Sequence, residues 1–228
     1  MEILFTKDAH WLQKWDAFIL TEDKGSHLLL SDWISSYQAY GFDSEFCLMV
    51  EDGKIIGGYA AVVAKAVFFK FYIVPYGPIV TEGFEHLLDD LIAAVPNRGK
   101  LYGACYSHIA LPLSDDNSNK HIYSSVPELQ SLADSKPGHL FKFVYSSSGL
   151  NWVPLSGFEN EEALLESFKS SVRRDIRSSV RKELSAKFLK TESEVKAGYQ
   201  LCLQNATKNG YALRDWESFR STLMALIS

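Results

Sequence analysis

The sequence predicts a mixed α/β fold arranged in two successive units. Segments that alternate between apolar and polar residues lie near the N terminus, joined by short turns, and a strand, helix, strand pattern follows them. Layered α/β domains show this order of elements, whereas helical bundles and β-sandwiches do not. A second set of elements begins near Phe141, and the 228 residues are 46% hydrophobic, which is enough for a substantial core.

A strand and two helices are predicted at the N terminus. Residues Glu2–Thr6 form the predicted strand, and Asp8 is the predicted N-cap of the first helix. The second helix is expected to begin at Ser31 or Asp32 and to end at Gly41, because glycine commonly ends helices. The first helix places aromatic residues on one face at spacings of three and four, namely Trp11, Trp15 and Phe18.

The rest of the first unit is predicted to be a sheet covered by one more helix. Asp52-Gly53 is a hairpin signal, and the rigid turn at residues 75–78 precedes an amphipathic helix that begins near Phe84. The strand at residues 67–74 is nearly continuously apolar, with Lys70 as its charged residue, so we expect it to be buried on both faces. The predicted strands cover residues 45–50, 54–64, 67–74 and 101–106.

The polar, irregular region at residues 107–138 is predicted to contain the domain junction. This places the first domain at residues 1–138 and the second at residues 139–228. The second unit begins with two predicted strands, at residues 141–145 and 151–155, and continues with helices only. Since these helices have apolar faces and few strands to cover, the second unit is predicted to be incomplete.

Three helices are predicted in the second unit, and the first of them is basic. Its apolar residues recur every four positions, and each such step advances about 40° around a helix axis. The helix is therefore predicted to be curved, to break near Ser178-Ser179 or to pack on more than one surface. Thr191 or Ser193 is the predicted cap of the next helix, and Asp215 caps the last. The apolar row consists of Leu164, Phe168, Val172, Ile176, Val180 and Leu184.

The basic helix is the strongest candidate for a binding site. Arg173, Arg177 and Arg181 form a row beside the apolar residues, with Arg174 next to them. No acidic residue lies four positions from Arg173 or Arg177, and arginine suits bidentate contacts to phosphate or carboxylate. The row therefore favours an anion site over a merely solvated face. Two observations argue against DNA binding: the net charge is −5, and the sequence contains no second basic element.

Several other classes of site are not supported. The six histidines have no paired ligand spacing, so no metal site is predicted. Phosphate-loop, dinucleotide and nucleophile-elbow motifs are missing, as is the pyrophosphate loop of acetyl-CoA-dependent acetyltransferases. The beginning of the chain lacks a signal peptide and no apolar run is long enough to span a membrane, so a cytoplasmic protein is expected. Cys47, Cys105 and Cys202 are predicted to be reduced, buried thiols.

Several segments resemble one family, the FemABX peptidoglycan interpeptide-bridge aminoacyltransferases of the GNAT superfamily. The matching segments are SHLLLSDW from Ser26, the hairpin EDGKIIGGYAAV, the turn VPYGPIV, NWVPLSGFENEEALLESFKSSVRRDIRSSV and NATKNGYALRDW. Within the fourth segment, residues 174–177 match the Arg-x-Ile-Arg motif of the family. The resemblance covers nearly the whole chain in order.

This resemblance implies two tandem GNAT-like domains, the second incomplete, because the second domain of the family continues beyond Ser228. It also implies transfer of an amino acid from aminoacyl-tRNA to an amino group of a peptidoglycan precursor. Two positions depart from the family pattern: Tyr37 lies near the place of a common lysine, and Tyr76 replaces a basic residue in the turn. Each change removes a phosphate contact, so the acceptor is left open.

The hypothesis is a cytoplasmic bacterial aminoacyl or acyl transferase of cell-wall biogenesis, without a bound cofactor or metal. Arg173, Arg174 and Arg177 are the predicted substrate contacts, and Tyr76 and Tyr37 are expected to line the cleft. No catalytic residue is assigned, and a substrate phosphate could accept the proton in place of a side chain. Peripheral membrane contact is compatible with this role. Two alternatives stay open: a GNAT acyltransferase of polysaccharide synthesis that uses acyl-CoA, and an inactive binding remnant.

Overall fold

A mixed, six-stranded sheet is the centre of the described structure. The computed structural model describes residues 1–112, 155, 157–182 and 186–227. Within them the strand order is β1-β2-β3-β4-β6, with β5 beside β3, and only β4 and β6 are parallel. The strands are β1 (Glu2–Thr6), β2 (Asp43–Glu51), β3 (Lys54–Ala66), β4 (Phe69–Val74), β5 (Ile79–Val80) and β6 (Tyr106–Ile109). The mixed α/β class predicted from the sequence is confirmed.

Helices cover both faces of the sheet and continue into the second half of the chain. The α-helices are α1 (Ala9–Thr21), α2 (Ser31–Ser35), α3 (Leu88–Leu101), α4 (Glu161–Ser167), α5 (Ser170–Arg181), α6 (Glu192–Asn209) and α7 (Trp216–Ala225). Short 3₁₀ turns lie at His27–Leu29, Ser36–Tyr40 and Glu85–Leu87. The predicted strands at residues 141–145 and 151–155 and most of the predicted domain junction fall outside the described residues, so the domain boundary stays a prediction.

Two hydrophobic cores form because side chains alternate between the faces of each strand. On one face, Phe46 and Leu48 of β2 pack with Trp15 of α1 and with α2. On the opposite face, Met49 packs with Leu91 of α3. The centre of the sheet is therefore buried on both sides, but the strand predicted at residues 67–74 is buried only from Tyr72 to Val74 and is exposed at its start.

The β2–β3 hairpin shows where local sequence chemistry determines the backbone. Asp52 and Gly53 have φ angles of 49° and 75°, the left-handed conformation that an Asp-Gly hairpin turn needs. Farther along β3, Gly58 allows α1 to approach the sheet. A Cβ atom there would lie 2.3 Å from the carbonyl oxygen of Cys47 and 3.0 Å from the ring of Trp15. Only glycine fits this close contact between helix and sheet.

A buried carboxylate ties α3 to the sheet. Glu45 of β2 accepts hydrogen bonds from the hydroxyl of Tyr72 at 2.9 Å, from the hydroxyl of Tyr102 at 3.1 Å and from Nε of Arg98 at 3.0 Å. Nη2 of Arg98 donates a further bond to it, and the Arg98 guanidinium lies 4.1 Å from the ring centroid of Phe5. Four donors compensate for the burial of this charge.

The predicted strand at residues 101–106 is wrong, because α3 continues through Pro96 to Leu101. Its last turn is closed by hydrogen bonds from the backbone of Tyr102, and Gly103 then turns the chain with a φ of 69°. The strand begins only at Tyr106. The residues from Asn97 to Leu101 therefore form the last turn of the helix, where Arg98 anchors α3 to Glu45.

The basic segment forms two helices, and the interruption lies earlier than predicted. α4 ends at Ser167 and α5 begins at Ser170, so the chain breaks at Phe168 rather than near Ser178-Ser179. The C-terminal end of α4 is held by Arg173 of α5, which donates to the backbone carbonyls of Glu166 and Phe168. No side chain of α5 is buried among the described residues, and Val180 is largely exposed.

The ends of the last two helices agree with the prediction. Thr191 and Glu194 form a complete capping box at the start of α6, and Gly210 ends this helix with a φ of 72°. Asp215 caps α7 by accepting a hydrogen bond from the backbone of Ser218. α6 packs on α7 through Tyr199 and Trp216, whose ring centroids are 5.4 Å apart.

The cysteines lie in two different environments. Cys47 is buried, and its burial raises the pKa of its thiol to about 12. Cys105 and Cys202 are exposed, so the prediction that all three thiols are buried is wrong for these two. Short apolar runs contain both residues, but Cys105 lies before the edge strand β6 and Cys202 lies on the outer face of α6.

Across the described ranges, no helix combines the length and the apolar character needed to cross a bilayer. The same part of the chain contains no group of three or more histidine, cysteine or acidic side chains that could hold a metal ion.

Candidate functional site

The α5 arginines were predicted to be unpaired, and the structure corrects this for Arg173 and Arg177. Nη1 of Arg173 donates to the backbone carbonyls of Glu166 at 2.9 Å and Phe168 at 2.8 Å, so this side chain closes the end of α4. Nη2 of Arg177 lies 2.9 Å from Oε1 of Glu162, fifteen residues earlier. Glu162 is not a partner that the i, i+4 spacing of one helix predicts, because it lies on α4 and the chain folds back between α4 and α5.

The other side chains of the basic helix are more open to solvent. Nε of Arg174 lies 3.8 Å from Asp175, and each side chain is 76% exposed, so this ion pair contributes little. Arg181 has no ion-pair partner in the described part of the chain. The exposed arginines can therefore still contact an anionic ligand.

Tyr37 and Tyr76 belong to the same hydrophobic core, between α1, α2 and the sheet. Tyr37 is 2% exposed, and Tyr76 is 6% exposed with its pKa raised by burial. The turn that contains Tyr76 is fixed at its end, because the backbone N–H of Gly77 donates to the carbonyl of Ala110 at 3.0 Å. Both rings are therefore packed within this core, and their predicted substrate contacts stay predictions.

The cation placed against Tyr37 is Arg214, which the sequence reasoning missed. Its guanidinium lies 5.5 Å from the ring centroid of Tyr37, 4.8 Å from that of Tyr40 and 4.9 Å from that of Phe219. Nε donates to the Tyr40 hydroxyl at 2.7 Å, and Nη2 donates to the carbonyl of Ser218 at 2.7 Å. Three rings and two hydrogen bonds hold this half-buried side chain in one orientation.

Arg214 keeps donor capacity for a ligand. No carboxylate lies within ion-pair distance of it among the described residues, and its remaining amino group, Nη1, has no hydrogen-bond partner there. Such a group attracts an anion without first breaking an internal ion pair. We define Arg214, Tyr37, Tyr40, Ser218 and Phe219 as the arginine joint, since they connect the first unit to α7.

Two polar atoms near the arginine joint are buried without a partner in the described structure. They are Nε1 of Trp33 in α2 and Oγ1 of Thr222 in α7, the two helices that meet there. The Trp33 ring lies edge-on to Phe219, with centroids 6.5 Å apart, and to His27, with centroids 4.8 Å apart. Buried donors without partners are uncommon in folded proteins, and a bound water or ligand is a frequent reason.

Spacing rules do not reveal the arginine joint in the sequence, although the family-like segment NATKNGYALRDW contains Arg214. The hydrogen bond between Arg214 and Tyr40 joins positions 174 residues apart. Arg214 directly precedes the helix cap Asp215, where an arginine has no distinctive spacing to any other functional residue. Only the packing of α7 against the 36–40 turn brings these side chains together.

The described fold resembles that of a solved FemX structure. The likeness covers 97% of this chain and 54% of the FemX chain, with a TM-score of 0.64 and 15% sequence identity. The chain has a FemX-like fold. It spans about half the length of FemX. The predicted resemblance to FemABX proteins is therefore confirmed for the fold.

Other solved structures are less similar to this chain than FemX is. A probable acetyltransferase gives a TM-score of 0.40 at 14% identity, over 57% of this chain and 91% of its own. Ribosomal-protein-alanine N-acetyltransferase from Brucella melitensis biovar Abortus 2308 gives 0.39 at 14% identity, over 57% and 94%. These two scores do not establish a shared fold. Models of known protein families and curated protein sequences give no match.

Proposed function

We propose that the chain is part of a FemABX-like transferase that forms an amide on an amino group of a cell-envelope precursor. The observation that supports this most is the FemX-like fold, which covers 97% of the chain. The proposal also depends on the ordered motifs that resemble the family, because a fold alone supports many functions. The proposed donor is aminoacyl-tRNA, and the proposed location is the bacterial cytoplasm.

Arg214 is the proposed first contact for an anionic group of the acceptor. A phosphate or carboxylate can accept a charge-assisted hydrogen bond from its Nη1 while the aromatic rings keep the guanidinium fixed. Trp33 Nε1 is a second donor near the same helices. A rigid anchor of this kind reduces the entropy that must be lost when the acceptor amine is positioned.

The basic helix is the proposed second contact. Arg174 and Arg177 are exposed enough to reach a ligand, and exchange of the surface partner of Arg177 for a substrate anion costs little. Arg173 is proposed to contribute charge while it keeps α4 and α5 together. Amine attack on an aminoacyl ester then needs positioning and a proton acceptor, which a substrate phosphate could provide.

The test compares two donors with the same acceptor. Purified protein is given either aminoacyl-tRNA or acyl-CoA with an amine-bearing peptidoglycan precursor, and amide product and free thiol are both measured. The proposal predicts amide formation with aminoacyl-tRNA and no thiol release. Turnover of acyl-CoA in place of aminoacyl-tRNA would instead support a GNAT acyltransferase of polysaccharide synthesis. No turnover with either donor, by a folded protein that binds the precursor, would support an inactive binding remnant.

A further inference from the structure

The tip of the β3–β4 hairpin exposes a group of large apolar side chains. Phe68 is 92% exposed, Val67 is 79% exposed and Phe69 is 58% exposed. Tyr106 is also exposed and lies at this end of the sheet, since it pairs with Phe71 in the parallel ladder. Leu101 is exposed too, and it lies nearby because the carbonyl of the next residue, Tyr102, accepts a hydrogen bond from Nζ of Lys70 at 3.1 Å. An apolar group of this kind on a folded unit indicates an interaction surface.

The turn itself has an unfavourable backbone conformation for its sequence. Val67 has a φ of 49°, in the left-handed region that β-branched residues rarely adopt. Glycine, asparagine or aspartate would relieve this strain in a two-residue hairpin. The turn that connects β2 and β3 contains the favourable Asp52-Gly53 pair, whereas the turn that connects β3 and β4 places Val67 at a positive φ.

Lysines surround the apolar tip. Lys65 and Lys70 are exposed and lie directly opposite each other in the β3–β4 ladder, an arrangement in which like charges repel. Lys100 is exposed at the end of α3, beside Leu101. None of the three lysines has an ion-pair partner in the described ranges. The acidic residue at this end of the sheet, Asp43, is paired with Lys7.

We propose that the β3–β4 tip docks the protein on an anionic lipid surface. Phe68 and Val67 would enter the interface between headgroups and acyl chains, while Lys65, Lys70 and Lys100 would contact the anionic headgroups. The chain has a net charge of −5, so an anionic surface repels most of the protein and attracts this end. The tip lies in the first unit and requires neither the arginine joint nor any donor.

The three unfavourable features of the tip then share one explanation. Exposed phenylalanine, paired lysines and a strained valine each reduce stability or solubility in water, and each has a use at a lipid interface. Local choices that conflict with the fold are expected at functional sites. A second copy of the chain fits less well as the occupant, because the lysines around one tip would repel those around the other.

Vesicle sedimentation tests this proposal directly. The full chain is mixed with vesicles of phosphatidylglycerol and phosphatidylcholine in about equal parts, or with phosphatidylcholine vesicles. Wild type is expected to sediment with the anionic vesicles and not with the neutral ones. Phe68→Ser is expected to weaken this binding about tenfold or more, whereas Phe68→Leu should retain most of it. The Lys65→Glu/Lys70→Glu variant is expected to abolish binding.

Matched controls distinguish binding by the tip from non-specific hydrophobic or electrostatic binding elsewhere on the surface. Leu20→Ser changes an apolar residue that is 76% exposed on α1, and Lys54→Glu changes an exposed lysine at the opposite end of β3. Both should bind vesicles as wild type does, and circular dichroism checks that all variants are folded. Absence of binding by wild type, or equal binding by Phe68→Ser, would overturn the proposal. So would wild-type self-association that Phe68→Ser removes, since this would assign the tip to a second copy.

Vesicle binding requires no substrate, so its result is separate from that of the transfer reaction. Loss of transfer with intact vesicle binding would contradict the proposed function and leave the lipid contact in place. Transfer without vesicle binding would contradict the lipid contact and leave the proposed function in place.

Discussion

At the residue scale, Arg214 determines how two distant parts of the chain meet. It contacts rings from the 36–40 turn and from α7, and it has no carboxylate partner among the described residues. An arginine held by aromatic rings and neutral acceptors keeps its charge for other contacts. The half-buried Arg98 differs, because its charge is paired with the buried carboxylate of Glu45.

The three cysteines should react at different rates. Cys105 and Cys202 are exposed, whereas burial raises the pKa of Cys47 to about 12 and leaves it a protonated thiol at neutral pH. We expect a thiol-specific disulfide reagent to modify two cysteines in the native protein and the third only after unfolding. The Cys105→Ser/Cys202→Ser variant should show no reaction before denaturant is added, and a rapid reaction there would contradict the assigned burial.

Relief of the strain at Val67 should stabilise the protein. Its φ of 49° costs a β-branched residue about 1 to 2 kcal/mol, and asparagine tolerates this conformation. Val67→Asn is therefore expected to raise the free energy of unfolding by about 1 kcal/mol in urea titrations. Val67→Ala keeps the strain and removes only exposed methyl groups, so it should change stability little. Equal effects of the two variants would show that backbone strain is not the cause.

Histidine burial should make the protein less stable in mild acid. Burial lowers the pKa of His27 and of His108, so the unfolded chain binds more protons than the folded one just below the usual histidine pKa. Their contribution to stability is present above a pH of about 6.5 and is lost as the pH falls toward their folded pKa values. His27→Gln should reduce this pH dependence, and an unchanged pH dependence in this variant would contradict the explanation. Thermal melting at several pH values measures the difference.

At the element scale, α3 depends on one buried ion pair, which should be worth far more than a similar pair on the surface. Arg98→Met leaves the Glu45 carboxylate buried without its partner, and we expect a loss of about 3 kcal/mol in the free energy of unfolding. Arg220 contacts both oxygens of Glu192 at 2.6 Å in an exposed position, so Arg220→Met should reduce stability far less than Arg98→Met does. Urea unfolding that gives similar losses for both variants would contradict this account.

Helix caps and hairpin turns could be predicted from sequence because their chemistry is local. Asp8, Thr191 and Asp215 cap helices as expected, and Asp52-Gly53 forms the expected turn. The end of α3 and the break between α4 and α5 could not be predicted in this way. The first depends on a hydrogen bond from Arg98 to a residue 53 positions earlier, and the second on the contact of Arg173 with carbonyl groups of α4.

At the scale of the whole molecule, the candidate site is harder to predict than the fold. The sequence identified the FemABX-like order of elements, and the FemX-like fold confirms it. It also predicted a site at Tyr37 and the basic helix, which stays a prediction, and it predicted no role for Arg214 or Tyr40. These two side chains are brought together by the packing of the sheet, α2 and α7, and no periodic sequence pattern predicts that contact.

The central claim is that the FemX-like fold presents arginines to an anionic acceptor, and calorimetric titration with a phosphate-bearing peptidoglycan precursor tests it most directly. Wild type is expected to bind, Arg214→Met to bind at least about tenfold more weakly, and Arg173→Glu/Arg177→Glu not to bind at all. Arg220→Glu, on the exposed face of α7, should bind as wild type does, and circular dichroism should show that every variant is folded. Unchanged affinity in both site variants would contradict the claim.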